Sequence, residues 1–329
     1  MTTGCILVTG GCGYLGAHLL REMARHGEFE GARIRILDNL SAGSVAGLCD
    51  LPPGPRYEFV EGDILSPAAV RSALEGVGQV IHLAALVRTP FAFNQPGSIQ
   101  QINHWGTAQL LEHCRAAGVE RFIYASSVSV YGPGGPFDEQ SACRPMGPYS
   151  RSKMLAEHAV LSGGETPMHS TVLRIGTLYG GEPGLMRFDA VANRFAYLAG
   201  TSRSLAVYGD GQQSRPLVHV RDAARAILFV LNHPQADGQT YNVAADNPSI
   251  EALARIFTAI RADTRLRFTD QDYREHLSLA VTSEKIRGLG WSAQEYLEPA
   301  LRELLGHFGK LTSPFTATAD RDLEEIVGS

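Results

Sequence analysis

A glycine-rich loop between a short strand and a helix is the feature that most constrains the fold of this 329-residue chain. Ile6-Leu7-Val8-Thr9 is an apolar, β-branched run that predicts a buried strand. Gly10, Gly13 and Gly16 follow it, and apolar residues at helical spacing from Ala17 to His26 predict a helix. A generic glycine turn is the alternative, but a strand, a glycine turn and a helix in this order are typical of a unit whose backbone approaches a pyrophosphate.

An acidic residue then follows at the distance that such a dinucleotide-binding unit requires. Arg33 to Leu37 predicts a second strand that ends at Asp38, whose carboxylate could accept both ribose hydroxyls of an adenosine. A carboxylate there repels a 2′-phosphate, and Asn39 follows it rather than an arginine, so we expect NAD and not NADP. Asp63-Ile64, after the third predicted strand, could bracket the adenine, or Asp63 could simply cap a loop.

Strands and helices alternate through the first half of the chain. Further strands are predicted at 57–61, 80–84, 121–125 and 171–175, and helices at 103–117 and 149–161. The alternation predicts an α/β fold with a doubly wound parallel sheet, which binds ligands at the carboxyl ends of its strands. The second half is richer in loops and predicts a smaller α/β substrate-binding lobe, so we place the domains at 1–175 and 176–329, with more than one crossing between lobes allowed.

Composition excludes several classes of protein. The formal net charge is −5 with both signs interspersed, which argues against nucleic acid as a partner. The longest apolar stretches are strand-sized, and Met1 leads almost directly into a strand, so we expect neither a membrane span nor a signal peptide. The five cysteines lack metal-ligand spacing, as expected of a cytoplasmic protein without a metal site.

A tyrosine and a lysine suggest proton-transfer chemistry beside the dinucleotide. Tyr149 and Lys153 lie four residues apart, which places them on one face of the predicted helix. The chain has only three lysines, and a cation at this position would lower the pKa of the Tyr149 phenol toward working pH. Tyr149 could then take a proton from a sugar hydroxyl, and Ser127 could bind that hydroxyl. The alternatives are that Tyr149 is an aromatic residue that packs in the core and that Ser127 is a polar turn residue.

From Gly10 to about Trp291 the chain resembles the extended short-chain dehydrogenase/reductase family, specifically its nucleotide-sugar epimerases and dehydratases. The residues that carry the resemblance include Asp38-Asn39-Leu40-Ser41, His82-Leu83-Ala84-Ala85, Ser126-Ser127, Tyr149 with Lys153, Leu173-Arg174, His219-Val220 and Leu289-Gly290-Trp291.

The resemblance implies a role for each matching residue. Tyr149 resembles the catalytic base, Lys153 its partner that also holds the nicotinamide ribose, and Ser127 the hydroxyl-binding residue. Further residues implied to bind or support the cofactor are Tyr14, Leu15, Leu83, Ala84, Ala85 and Asn103. Those expected to contact the nucleotide sugar are Thr177, Asn193, Arg215 and Arg274, with a helix-surface position as the alternative for Asn193. Relatives usually form homodimers through helices that here span about 100–117 and 149–161.

The resemblance also bears on the reaction. Dehydratases of this group carry an Asp-Glu pair after the hydroxyl-binding residue, whereas Val128-Ser129 stands here. We therefore expect epimerisation at the fourth carbon of a UDP- or TDP-hexose. A 4-ketosugar reductase using free NAD(P)H and a non-catalytic dinucleotide sensor are the alternatives. Thr177 stands where relatives usually have asparagine, and an Arg-Pro-Gly-Asp stretch is absent near Arg274, so the substrate stays open.

Overall fold

The computed structural model describes residues 4–41, 45–87, 95–163, 168–269 and 278–309. Seven parallel strands form the main sheet, in the spatial order β11-β7-β5-β4-β1-β2-β3. Their bounds are β1 (Cys5–Thr9), β2 (Arg33–Asp38), β3 (Arg56–Glu61), β4 (Val77–His82), β5 (Arg121–Ser127), β7 (His169–Ile175) and β11 (Thr240–Val243). This sheet confirms the predicted α/β, doubly wound fold.

Shorter strands form three separate pairs beyond the main sheet, β8 with β10, β9 with β12 and β6 with β13. Their bounds are β6 (Gly134–Phe137), β8 (Thr177–Tyr179), β9 (Leu205–Tyr208), β10 (Leu217–His219), β12 (Leu266–Thr269) and β13 (Leu279–Val281). The division at residue 175 stays a prediction, and the main sheet takes its edge strand β11 from beyond that point.

Ten α-helices and one π-helical segment, Gln101–Gly106, are present in the described ranges. The helices are α1 (Tyr14–Arg25), α2 (Pro67–Ala73), α3 (Pro96–Gln100), α4 (Thr107–Ala116), α5 (Gly147–Leu161), α6 (Val191–Gly200), α7 (Val220–Leu231), α8 (Ile250–Ile260), α9 (Glu284–Gly288) and α10 (Leu297–Gly306). None of the helices in these ranges is long and apolar enough to cross a membrane.

Both faces of the main sheet are covered, as a parallel sheet requires. On one face, apolar side chains of α1 and α7, such as Leu19 and Ile227, pack on Val8 and Ile36. On the other face, side chains of α2, α4 and α5 pack on Leu7 and Phe122. A third cluster packs α6, α8 and α10 against one another. The strand order reverses between β1 and β4, so the carboxyl ends of these two strands border the crevice where such sheets bind ligands.

A direct hydrogen bond joins the start of α1 to the loop that follows β8. The Tyr14 hydroxyl, in the first turn of α1, donates to the Gly180 carbonyl at 2.6 Å. Asn193 of α6 is fully buried, and its side-chain oxygen accepts from the Gly180 amide at 2.9 Å. Its amide nitrogen donates to the Arg187 carbonyl at 2.8 Å. The loop between β8 and α6 is thereby fixed against the start of α1.

Candidate active site

The glycine loop has the shape of a phosphate-binding turn. Gly10 has φ +71°, and a Cβ built there would lie 2.6 Å from the Ala84 nitrogen. A Cβ on Gly16 would lie 2.4 Å from the Gly10 carbonyl oxygen. Only glycine fits either position, and α1 begins at Tyr14, directly after Gly13. The amides of its first turn therefore lie at the positive end of a helix that starts beside the switch point of the sheet.

Asp38 ends β2 beside this loop. Its Oδ2 accepts from the Cys12 amide at 2.9 Å, and its Oδ1 accepts from the Leu40 amide at 2.9 Å. Because each carboxylate oxygen has a second lone pair, both can also accept from ribose hydroxyls. The glycine cradle, the helix amides and this carboxylate together fit an adenine dinucleotide.

Asp63 and Asn39 contact each other across the ends of β2 and β3. The Asn39 amide donates to Asp63 Oδ2 at 2.8 Å, and Asp63 Oδ1 accepts from the Leu65 amide at 2.8 Å. These are the contacts of a loop-capping acid, the alternative considered for Asp63 from the sequence. Ile64 is buried in the core beside Gly106. The adenine-binding role of Asp63 and Ile64 stays a prediction.

A chain of buried hydrogen bonds connects the switch point to the helix that follows β4. Thr107 Oγ1 donates to the Asn103 carbonyl at 2.8 Å, so it must accept from His82 Nε2, at 2.9 Å. His82 Nδ1 then accepts from Thr9 Oγ1 at 2.7 Å, and Thr9 Oγ1 accepts from the Ala84 amide at 3.3 Å. The donor and acceptor of each hydrogen bond in this series are therefore fixed, and His82 is the neutral tautomer with its proton on Nε2. Burial and the Lys153 charge accordingly lower the pKa of His82 to about 3.

This chain fixes the segment predicted to line the cofactor, which includes Leu83, Ala84 and Ala85. Asn103 completes the attachment, because its side chain accepts from the Leu86 amide at 2.7 Å and donates to the Leu86 carbonyl at 3.0 Å. It also donates to Ser152 Oγ, one position before Lys153. Asn103 therefore joins the 83–87 segment to α5, the helix that carries Tyr149 and Lys153. Its role in supporting the cofactor site stays a prediction.

The three proposed catalytic residues come together where β5 and α5 meet. Lys153 is 3% exposed, and its ammonium donates to the Ala125 carbonyl at 2.7 Å and lies 4.8 Å from the centre of the Tyr124 ring. Ser127 ends β5, and its Oγ accepts from the Ser129 amide at 3.2 Å. Tyr149 is half-buried in the first turn of α5, one helical turn before Lys153.

The charge states of this group depend on burial. Burial lowers the pKa of the Lys153 ammonium to about 7, against the opposing effect of the Glu157 carboxylate. Burial raises the pKa of the Tyr149 phenol, while the Arg187 guanidinium and a hydrogen bond with Ser127 lower it. The phenol therefore needs nearby positive charge to act as a base at neutral pH.

Arg187 is a residue of this site that the sequence analysis did not assign. It lies on the loop before α6, pairs with Asp189 at 3.0 Å through Nε, and its charge acts on both Tyr14 and Tyr149. No local spacing relates Arg187 to Tyr149, because the loop is brought there by Asn193 and Gly180. Its positive charge lowers the pKa of the Tyr149 phenol, the group proposed to accept the proton.

The residues expected to bind the nucleotide sugar have separate surroundings. Thr177 begins β8, and its amide donates to the Pro216 carbonyl at 2.7 Å. Arg215 Nη1 donates to the Ser214 carbonyl at 2.9 Å. Asn193 uses both side-chain atoms in the bonds described above. Arg274 lies outside the described residues. Substrate contact by these four residues stays a prediction.

Comparisons with known proteins agree with this geometry. Residues 6–244 match the family described as the NAD dependent epimerase/dehydratase family. The chain belongs to this family. NAD is therefore its cofactor, in agreement with the glycine cradle and Asp38.

The relatives include both kinds of enzyme. The chain is 28% identical to mouse dTDP-D-glucose 4,6-dehydratase over 93% of this chain and 88% of that protein. It is 30% identical to an uncharacterised UDP-glucose epimerase of Bacillus subtilis (strain 168) over 81% of this chain and 85% of that protein. The crystal structure of the UDP-glucose 4-epimerase of Thermus thermophilus complexed with NAD matches with a TM-score of 0.80 and 25% identity, over 92% of this chain and 98% of that one. The resemblance to nucleotide-sugar epimerases and dehydratases is thereby confirmed.

The neutral state of His82 predicts how stability depends on pH. Its pKa in the folded protein is below the value of about 6.5 in an unfolded chain, so the unfolded state binds more protons as pH falls through this range. The His82 contribution is therefore present above pH 6.5 and is lost on acidification, by about 2 kcal/mol between pH 7 and pH 5. Urea unfolding at both pH values should show that the loss on acidification is smaller in His82→Gln by about this amount. The exposed His307→Gln control should keep the wild-type loss, and an equally large loss in His82→Gln would contradict the assignment.

Proposed function

We propose that this protein is a nucleotide-sugar 4-epimerase that acts on a UDP- or TDP-hexose through a transient 4-keto sugar. Two observations carry this proposal. Ser127, Tyr149 and Lys153 lie together where α5 packs against the end of β5, and no acidic residue directly follows Ser127. Membership of the family supports the general chemistry. The choice of epimerisation rests on the residues themselves.

The proton chemistry begins at the phenol of Tyr149. Ser127 holds the hydroxyl on the fourth carbon of the sugar, and Tyr149 takes the proton from that hydroxyl. Lys153 stabilises the phenolate as it receives the proton, because a cation one helical turn away lowers the pKa of the phenol. NAD, when bound, accepts a hydride from the same carbon and returns it. Tyr149 gives the proton back to the sugar oxygen, and a sugar that has turned its other face to the cofactor would leave with this centre inverted.

The residues after Ser127 disfavour elimination of water. A 4,6-dehydration needs an acid to protonate the leaving hydroxyl and a base to take the adjacent proton. In this chain the next two positions are Val128, an apolar side chain that is buried, and Ser129, a neutral hydroxyl. Neither residue titrates near neutral pH. The mouse dehydratase similarity therefore describes ancestry and fold more closely than the reaction.

The catalytic assignment predicts a separation of cofactor binding from turnover. Tyr149→Phe removes the proton acceptor and leaves the glycine cradle and Asp38 unchanged, so it should lower kcat by about 100-fold or more with NAD content unaltered. NAD is measured by mass spectrometry of the denatured protein, and turnover by the interconversion of UDP-glucose and UDP-galactose or of the TDP-sugars. Tyr296→Phe, at an exposed tyrosine, is the matched control and should keep full turnover.

Three outcomes of these assays would contradict the proposal. Unchanged turnover in Tyr149→Phe would remove the base. Protein that is purified empty and consumes added NAD(P)H with a 4-keto sugar would indicate the ketoreductase instead. Stoichiometric NAD with no turnover of any nucleotide sugar would favour the sensor.

We also propose that two copies pair through the segment from α3 to α4 and through α5. Trp105, in the π-helical segment, is 62% exposed, and Leu161 at the end of α5 is exposed as well. Large exposed apolar side chains on adjacent helices are typical of a subunit interface.

Pairing predicts a dimer mass in light scattering for the wild type. Trp105→Asp should shift that mass to the monomer, because a charge would be buried at the interface without a partner. Tyr296→Asp is the control, since it introduces the same charge at a more exposed aromatic outside these helices. A monomeric wild type would refute the proposal.

A further inference from the structure

Glu157 lies one helical turn beyond Lys153 on α5 and is 1% exposed. Both oxygens of its carboxylate are occupied. Oε1 accepts from Ser126 Oγ at 2.5 Å, and Arg174 Nη2 donates to Oε2 at 2.7 Å. Arg174 Nε lies 3.1 Å from each oxygen. A carboxylate held on two sides by hydrogen bonds has a fixed position and orientation.

Arg174 is held as firmly as the carboxylate. Its Nη1 donates to the Tyr131 hydroxyl at 2.8 Å, and its guanidinium lies 4.8 Å from the centre of the Tyr131 ring. The Tyr131 hydroxyl in turn donates to Asn242 Oδ1 at 2.8 Å. The cluster therefore joins β5, α5, β7 and β11 behind the catalytic residues. A buried ion pair adds little to stability by itself. The position of Glu157 one helical turn after Lys153 therefore points to a role other than stabilising the fold.

The groups that face Lys153 come from three elements. His82 on β4 is neutral, because its Nδ1 accepts from Thr9. On β5, Ala125 presents a carbonyl and Tyr124 a ring face. On α5, Tyr149 presents a phenol and Glu157 a carboxylate. Of these groups Glu157 alone carries a negative charge while Tyr149 is protonated.

We propose that Glu157 is a positioning residue that keeps the buried Lys153 ammonium protonated, with Arg174 and Ser126 holding the carboxylate in place. Only the consequence of this role rests on the proposed function: a neutral Lys153 would no longer stabilise the Tyr149 phenolate. Burial lowers the pKa of the Lys153 ammonium, and the charge of the Glu157 carboxylate raises it. Removing the carboxylate takes away the negative charge that opposes the effect of burial.

The small number of lysines makes a direct test possible. The chain has lysine only at positions 153, 285 and 310, so protein made with isotopically labelled lysine gives three side-chain NMR signals. The signal missing from Lys153→Arg identifies Lys153. Titration of NAD-loaded wild type and Glu157→Gln should show the Lys153 midpoint lower in the variant by about one pH unit.

A second variant keeps the test valid if Glu157→Gln does not fold. That single change leaves Arg174 as a buried charge without its partner, which is strongly destabilising. Glu157→Gln with Arg174→Gln removes both charges and leaves two amides able to hydrogen bond. Arg174 is a positive charge whose loss favours protonation of Lys153, so the Lys153 midpoint should fall in this double variant too, but by less than in Glu157→Gln. An unchanged midpoint in whichever variant folds would overturn the proposal.

A matched control separates this role from simple support of the fold. Arg121 and Asp237 form another ion pair of the main sheet, at 2.5 Å, away from the catalytic seam. Asp237→Asn should lower the melting temperature and leave the Lys153 midpoint unchanged, and a shift equal to that of Glu157→Gln would also overturn the proposal. The titration needs no substrate, so failure of the epimerase assignment would leave its result unaffected.

Discussion

The buried ammonium of Lys153 donates a hydrogen bond to the carbonyl of Ala125. The packing of α5 on β5 brings these two groups together. A charge removed from water costs several kcal/mol unless other groups compensate for its lost hydration. Here the compensation comes from a carbonyl at the end of β5, the face of Tyr124 and the carboxylate of Glu157. The same strand ends in Ser127, and the same helix begins near Tyr149. The contact between Lys153 and the Ala125 carbonyl thereby also positions Tyr149, the proposed base, relative to Ser127, the proposed hydroxyl-binding residue.

The cofactor and substrate sides of the site are connected through few bonds. Tyr14 follows the glycine loop and donates to Gly180, which Asn193 also contacts. Arg187 is held by the same asparagine and acts on the charge of Tyr149. A change at Asn193 can therefore reach the phenol of Tyr149, the proposed base, through one loop. These bonds give Asn193 a structural role, which is to hold the loop that contains Gly180 and Arg187.

The sequence was most informative where local pattern decides structure. Branched apolar runs predicted β1, β2, β5 and β7 to within two residues at each end, because buried parallel strands need such side chains on both faces. The strand predicted at 80–84 instead spans Val77–His82, since the apolar pattern continues into the cofactor-lining segment while Gly78 and Gln79 interrupt its start. The short strand β11 was not predicted, because its existence depends on pairing with β7. The position of Glu157, four residues after Lys153 on the same predicted helix, could have indicated its place near the lysine. No sequence spacing indicates Arg187, because its loop is brought close to Tyr149 by long-range contacts.

Deuterium at the fourth carbon of the sugar distinguishes a hydride that leaves and returns to one carbon from one that is moved elsewhere. Nucleotide hexose carrying deuterium there is incubated with the protein, and the sugar product is analysed by mass spectrometry and NMR. For the proposed 4-epimerase we expect a product whose fourth carbon is inverted and keeps its deuterium, with no change in mass. A product lighter by one water, or one in which the deuterium has moved to another carbon, would contradict it.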